Sequence, residues 1–161
     1  MKRGIWGRTL AGIAALCLVS SVGLAAGKGK EAIAGNWDLD VAKSNMAGIR
    51  SGHVSVSTVK DGFKAVVDYV PASGAAIHYE YSGGYDGMDI PVAGNTYFDS
   101  CTMLRIDRNT TIRTERRGGK VVGITTIEIA KDGKTFSASS KGTLPDGHQF
   151  ARATVFNRAK K

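Results

Sequence analysis

The chain has 161 residues, of which 42% are hydrophobic and 22% charged, and this composition excludes a wholly disordered protein. The length suits one domain and leaves no room for a second catalytic unit. The 21 glycines show no period of three, which excludes collagen, and 22 basic against 14 acidic residues give a net charge of +8.

The N-terminal segment has the three-part layout of a secretory signal. Three basic residues come first, 9–24 is an uncharged and mostly apolar run, and Ala25 ends a small-residue cleavage site. The apolar run is shorter than the roughly 20 residues that span a bilayer, which favours cleavage over a membrane anchor. We predict a signal peptide over 1–25, a lead-in segment over 26–34 and a periplasmic or secreted protein without a membrane span after cleavage.

Cleavage changes the charge and the cysteine count. It removes three of the 22 basic residues and none of the 14 acidic ones, so the mature chain would carry a net charge of +5. It also removes Cys17 and leaves Cys101 alone, so no intramolecular disulfide is expected in the mature chain. A single cysteine without a nearby base is not predicted to be a nucleophile.

From residue 35 onward, short alternating runs are separated by Asp-Gly, Gly-Gly and Gly-Asn pairs, which tolerate the positive φ of tight hairpin turns. This spacing is typical of an all-β sandwich or barrel. We predict an antiparallel up-and-down meander over 35–158, closed into a barrel of 8–10 strands that removes exposed edges. The predicted strands are 36–41, 53–60, 63–70, 75–82, 87–92, 97–108, 110–117, 120–130, 134–142 and 148–158.

Period-two alternation predicts which side chains face the interior. In 97–108 it places Phe98 with Leu104 and Ile106 on the inner face and Cys101 on the polar face. In four other strands the predicted inner sets are Phe63, Ala65, Val67 and Tyr69; Ile77, Tyr79 and Tyr81; Val121, Thr125, Ile127 and Ile129; and Phe150, Thr154 and Phe156 with Arg152 and Arg158. Such a mixed inner surface favours a cavity that holds water or an amphipathic ligand over a uniformly apolar core.

Two motifs at the ends of the predicted barrel carry a family resemblance. Gly35-Asn36-Trp37 opens the first strand and Arg158 ends the last, as in lipocalin-like (calycin) barrels. With GNWDLDVAKS at 35–44, YDGMDIPVAG at 85–94 and KDGKTFSASSKG at 131–142, the chain resembles small exported bacterial lipocalin-like proteins of mostly unassigned function.

The resemblance implies a lipocalin-like barrel with a plugged base. In that family the Trp fills the closed end and the terminal Arg stacks across it, which assigns Gly35, Trp37 and Arg158 to a structural plug. A guanidinium over an indole contributes about 0.5–2 kcal/mol. The chain departs from fatty-acid-binding proteins in two places. Arg152-Ala153-Thr154 stands where those proteins have an Arg-x-Tyr carboxylate clamp, and the connection 42–52 is too short for their two-helix lid.

Arg152 is the first candidate for ligand binding, because its position in the strand carries it inward with Phe150 and Phe156. An inward guanidinium with no acid on the predicted inner faces would bind a carboxylate or phosphate. The alternative is an arginine at the barrel mouth whose charge reaches solvent. Arg116 is a further candidate. Tyr69, Tyr79 and Tyr81 could contact a ligand or pack in the core.

The segment 105–120 carries six basic and two acidic residues. It could attract an anionic partner, although it lacks the interleaved aromatic residues of a nucleic-acid site, so no nucleic-acid partner is predicted. We interpret it instead as a solvated edge strand whose charge prevents aggregation.

The function predicted from the sequence is that of an exported, monomeric binding protein for a small apolar or amphipathic, possibly anionic, ligand. The alternative is a non-catalytic interaction module of the cell envelope with a filled barrel. No catalytic constellation is recognisable, and the three histidines lack metal-site spacing, so neither a metal nor a cofactor is predicted.

The signal peptide makes a direct prediction. N-terminal sequencing of the exported protein should find a start at Ala26 or Gly27, because small residues precede both bonds. A membrane fraction that retains Met1 would contradict it.

Overall fold

The structure is a computed structural model that describes residues 31–160. The predicted signal peptide and the first part of the predicted lead-in lie outside the described residues. In the described part of the chain, no helix is long and apolar enough to cross a membrane.

Ten antiparallel strands form one closed barrel in up-and-down order, which confirms the predicted fold class. Its only helix within 31–160 is a short 3-10 turn, Val41–Lys43, between the first two strands. The strands are β1 Gly35–Leu39, β2 Ile49–Val59, β3 Gly62–Pro71, β4 Ile77–Gly83, β5 Asp86–Ala93, β6 Ser100–Arg105, β7 Thr110–Arg117, β8 Lys120–Ile129, β9 Thr135–Thr143 and β10 Gln149–Arg158.

The barrel closes where β1 pairs with β10, through Trp37↔Arg158, Asp38↔Asn157 and Leu39↔Phe156. Because each strand reverses direction, successive connections alternate between the two ends of the barrel. The connections after β2, β4, β6 and β8 share the closed end with Trp37. Those after the odd-numbered strands surround the opposite end, the mouth.

Alternation buries the predicted inner faces of several strands. On β3, Phe63, Ala65 and Val67 are buried while Lys64 and Asp68 point outward. Tyr79 and Tyr81 on β4, Phe136 on β9, and Thr154 and Phe156 on β10 follow the same rule. Period two therefore predicts the interior wherever a strand is regular.

The predicted inner face of 97–108 is wrong. Strand β6 begins only at Ser100, and the bend before it reverses the parity, so Phe98 is buried but Leu104 is 48% exposed. The buried residues of β6 are Cys101 and Met103. Val121 is likewise outward and 56% exposed, because the β7–β8 register shifts at Glu115/Arg116.

The interpretation of 105–120 as an edge strand is also wrong. Strand β7 pairs with β6 on one side and β8 on the other, so it has no free edge. Its charges are divided among three locations. Arg105 lies at the closed end on the Tyr85 ring, Arg113 points into the barrel, and Arg116 lies outside and pairs with Asp89.

At the closed end, Arg158 lies across fully buried Trp37, with the guanidinium carbon 4.0 Å from the ring centroid. Its three nitrogens donate to the carbonyls of Gly133, Ala34 and Ala32 at 2.8–3.0 Å. The indole Nε1 donates to the Ile33 carbonyl at 2.8 Å. Gly35 has φ +139, and a Cβ there would collide with the Arg158 guanidinium, so the glycine makes room for the arginine.

Trp37→Ala should lower the free energy of unfolding by about 3–5 kcal/mol, as for a large buried aromatic side chain. Arg158→Ala should cost about 2–3 kcal/mol, because it removes the stacked cation and its hydrogen bonds. Urea unfolding of both single variants and the double variant measures the coupling. Additive effects would show that the two side chains do not stabilise each other.

Candidate functional site

The barrel encloses a cavity of about 270 Å³. It extends from the aromatic residues near the closed end to the mouth, where Met46, Ile77 and Leu144 contribute side chains from three different connections or strand ends. The charged residues among its lining, in the described part of the chain, are Arg113, Glu115 and Arg152. The cavity is therefore mostly apolar, with a small number of placed charges.

An ion pair between Arg113 and Glu115, both on β7, forms part of the cavity wall. Glu115 is only 3% exposed, and its Oε1 accepts from Arg113 Nε at 2.9 Å and from Arg113 Nη2 at 2.6 Å. Arg113 Nη1 donates to the Tyr81 hydroxyl at 3.0 Å. Burial lowers the pKa of Arg113, but the combined effect of Tyr81, Glu115, Tyr79 and Cys101 outweighs it and leaves that pKa well above its ordinary value.

Hydroxyl groups extend this network across β8 and β9. Thr125 Oγ1 donates to Glu115 Oε1 at 2.9 Å and lies 2.8 Å from Ser140 Oγ. Since a threonine hydroxyl carries one proton, Ser140 must be the donor in the second bond. The direction of the chain is thus Ser140 to Thr125 to Glu115.

Arg113 and Glu115 were not predicted as site residues, because both were interpreted as surface charges of the basic segment 105–120. The usable signal is their i,i+2 spacing, which places the two opposite charges on one face of a strand. The neighbouring strand also offers Thr125 on its inner face, opposite Arg113 in the register.

Tyr69, Tyr79 and Tyr81 all line the cavity, and Arg116 does not. The Tyr81 hydroxyl belongs to the Arg113 network, whereas Tyr69 and Tyr79 lie on the wall formed by β3 and β4. Desolvation raises the pKa of Tyr69 to about 12 and that of Tyr79 well above its ordinary value. These phenols therefore remain neutral hydrogen-bonding groups at physiological pH.

Arg152 lies at the mouth, where it lines the cavity and is also exposed to solvent. Its guanidinium carbon is 4.5 Å from the centroid of the Phe150 ring. None of the ion pairs within 31–160 includes it. The expectation that the interior lacks a fixed acid is wrong, since Glu115 is there, but Glu115 is bonded to Arg113 rather than to Arg152.

Two other features bear on chemistry. Cys101 is fully buried rather than on the polar face, and burial raises the pKa of its thiol to about 11, so the thiol is protonated at neutral pH. Among residues 31–160, no group of three His, Cys, Asp or Glu side chains could hold a metal ion.

The bend between β5 and β6 covers part of the mouth. Asn95 Oδ1 accepts from the backbone N–H groups of Tyr97 and Phe98, and the Tyr97 hydroxyl donates to the Val122 carbonyl. The Tyr97 hydroxyl lies close to Gly123 and Gly142. A Cβ at Gly123 would collide with Glu115 and crowd this hydroxyl, and a Cβ at Gly142 would collide with the hydroxyl and the Val122 carbonyl. The two glycines leave the space that Tyr97 occupies.

Comparison with known proteins finds no protein-family model and no curated protein that matches this chain. The ten-stranded barrel is compatible with a lipocalin-like fold.

The buried phenols predict a loss of stability at high pH. Below about pH 10 a tyrosine is protonated in both states; above it the unfolded chain ionises, while Tyr69 stays neutral until about pH 12. The free energy of unfolding should therefore fall as pH rises from 10 to 12. In Tyr69→Phe this loss should be smaller by on the order of 1–3 kcal/mol, measured by urea unfolding at several pH values. Equal losses in both proteins would contradict the prediction.

Proposed function

We propose that this chain is an exported lipocalin-like binding protein that holds a small, amphipathic and anionic ligand inside its barrel. The observation that carries the proposal is the charge balance of the cavity. Arg113 and Glu115 neutralise each other, which leaves the lining with a net charge of +1 at Arg152. An anionic group at the mouth would balance that charge.

The apolar lining supports an amphipathic rather than a fully polar ligand. Val54, Val56, Ala65 and Val67 form an apolar wall on β2 and β3, and Phe63, Phe136 and Phe156 lie toward the closed end. Apolar surface of this kind binds a hydrocarbon or aromatic body, at about 25 cal/mol per Å² removed from water.

The size of the cavity limits the ligand. Its volume of about 270 Å³ lies at the lower limit of the roughly 300–1,000 Å³ of sites for drug-sized ligands. A compact molecule of one or two rings, or a short acyl chain, fits this space better than a long-chain lipid. The same cavity argues against the filled barrel of the interaction-module alternative.

Isothermal titration calorimetry with 2-naphthoic acid, a compact apolar acid, tests the proposal. Arg152→Met keeps the apolar stem and removes the charge, so binding should weaken by about 1.5–3 kcal/mol, the magnitude of a hydrogen bond to a charged group. Because Arg152 is solvent-exposed and forms no ion pair within 31–160, stability should change little.

Lys141→Met is the matched control. It removes one positive charge from the neighbouring strand β9, but Lys141 does not line the cavity. Binding to this variant should equal that of the wild type. Equal binding to Arg152→Met and wild type would refute the role of Arg152. Absence of binding to the wild type would instead favour an interaction module.

A further inference from the structure

Four polar residues of the cavity form one row across adjacent strands. Pairing on β7–β10 places Arg113 opposite Thr125, Thr125 opposite Ser140, and Ser140 opposite Arg152. We call these four residues the polar row. The facing wall on β2 and β3 is mostly apolar, with the Tyr69 hydroxyl as its polar group, so the polar row lies on one side of the cavity.

Beside the polar row, one oxygen of the Glu115 carboxylate has no hydrogen-bond donor among residues 31–160. The three hydrogen bonds to Glu115, two from Arg113 and one from Thr125, all go to Oε1. Among the described residues, no fully enclosed side-chain oxygen is without a hydrogen bond. The Oε2 atom, which accepts none from these residues, is therefore not fully enclosed. It lies against Gly123, where a Cβ would collide with it, and Glu115 itself lines the cavity.

Arg113, which binds the other oxygen of this carboxylate, has unused donors. A guanidinium has five N–H groups, and Arg113 directs three of them to Glu115 and Tyr81. Two N–H groups of the same buried side chain remain for other partners. A carboxylate oxygen without a donor in a mostly apolar cavity is poorly stabilised, so a group that donates to Oε2 would bind favourably.

We infer that the cavity selects ligands with a hydrogen-bond donor, such as a hydroxyl or amide N–H, that binds Glu115 Oε2 beside Arg113. This inference rests on the proposed function and adds a second polar subsite to the one at Arg152. The ligand class is then a compact apolar acid with a hydroxyl or amide group remote from its acidic group. A simple apolar acid fills only the Arg152 subsite.

Three acids with the same two rings separate these possibilities in calorimetry with the exported wild-type protein. 6-Hydroxy-2-naphthoic acid adds a remote donor to 2-naphthoic acid, and 6-methoxy-2-naphthoic acid keeps the added oxygen but cannot donate. The hydroxy acid should bind at least about tenfold more tightly than the unsubstituted acid, as for a hydrogen bond to a charged group. The methoxy acid should show no such gain.

A paired substitution assigns the gain to the subsite. Arg113→Met with Glu115→Met removes both charges and the acceptor oxygens together, and such replacement of a buried ion pair by apolar side chains is often tolerated. The double variant should bind the hydroxy acid and the unsubstituted acid equally, whereas Arg152→Met should weaken both by the same factor. The three-acid comparison needs no variant and decides the question even if the double variant does not fold.

The possible failures are distinguishable. Equal affinity of the wild type for all three acids would overturn the inference and leave the proposed function standing. A hydroxyl preference that persists in the folded double variant would also overturn it. No binding of any of the acids would contradict the proposed function, and the inference with it.

Discussion

The pairing of β1 with β10 is the contact on which the rest of this structure depends. Only three residue pairs join the two strands, yet they close the sheet and place Arg158 on Trp37. A closed sheet has no free edge to aggregate and has an interior. Without closure, the side chains that alternate inward would face solvent, and neither the apolar wall nor the buried ion pair would be enclosed.

The interior uses that enclosure for two different purposes. Near the closed end, Phe136 stacks on Phe156 with centroids 4.5 Å apart, and Trp37 meets Phe136 edge-on at 5.0 Å, so this part is packed as a core. Toward the middle and the mouth, Arg113, Thr125, Ser140 and Arg152 give β7–β10 a polar inner surface. A buried ion pair is weak support for stability, because desolvation offsets much of its attraction. The Arg113–Glu115 pair is therefore weak support for stability, and the recognition proposed for the cavity would give it a role.

How far the site could be predicted depended on the regularity of each strand. Tyr69, Tyr79, Tyr81 and Arg152 were predicted to face inward from alternation with buried neighbours, and all four line the cavity. Arg113 and Glu115 were not, because strand 110–117 has a single aliphatic residue, Ile112, and it faces outward. Where no apolar residue identifies the inner face, the alternation of side chains does not tell which of the two faces points into the barrel.

The sequence by itself determined the ten strands and their order, because turn residues with positive φ and short alternating runs are local properties. It also determined the interior of regular strands. Tertiary structure decided the rest. The bend before β6 and the bulge at Glu115/Arg116 shift parity by one residue, and only the pairing of neighbouring strands reveals such a shift. The polar row, too, exists only across strands, since its four residues are distant in sequence and meet through register alone.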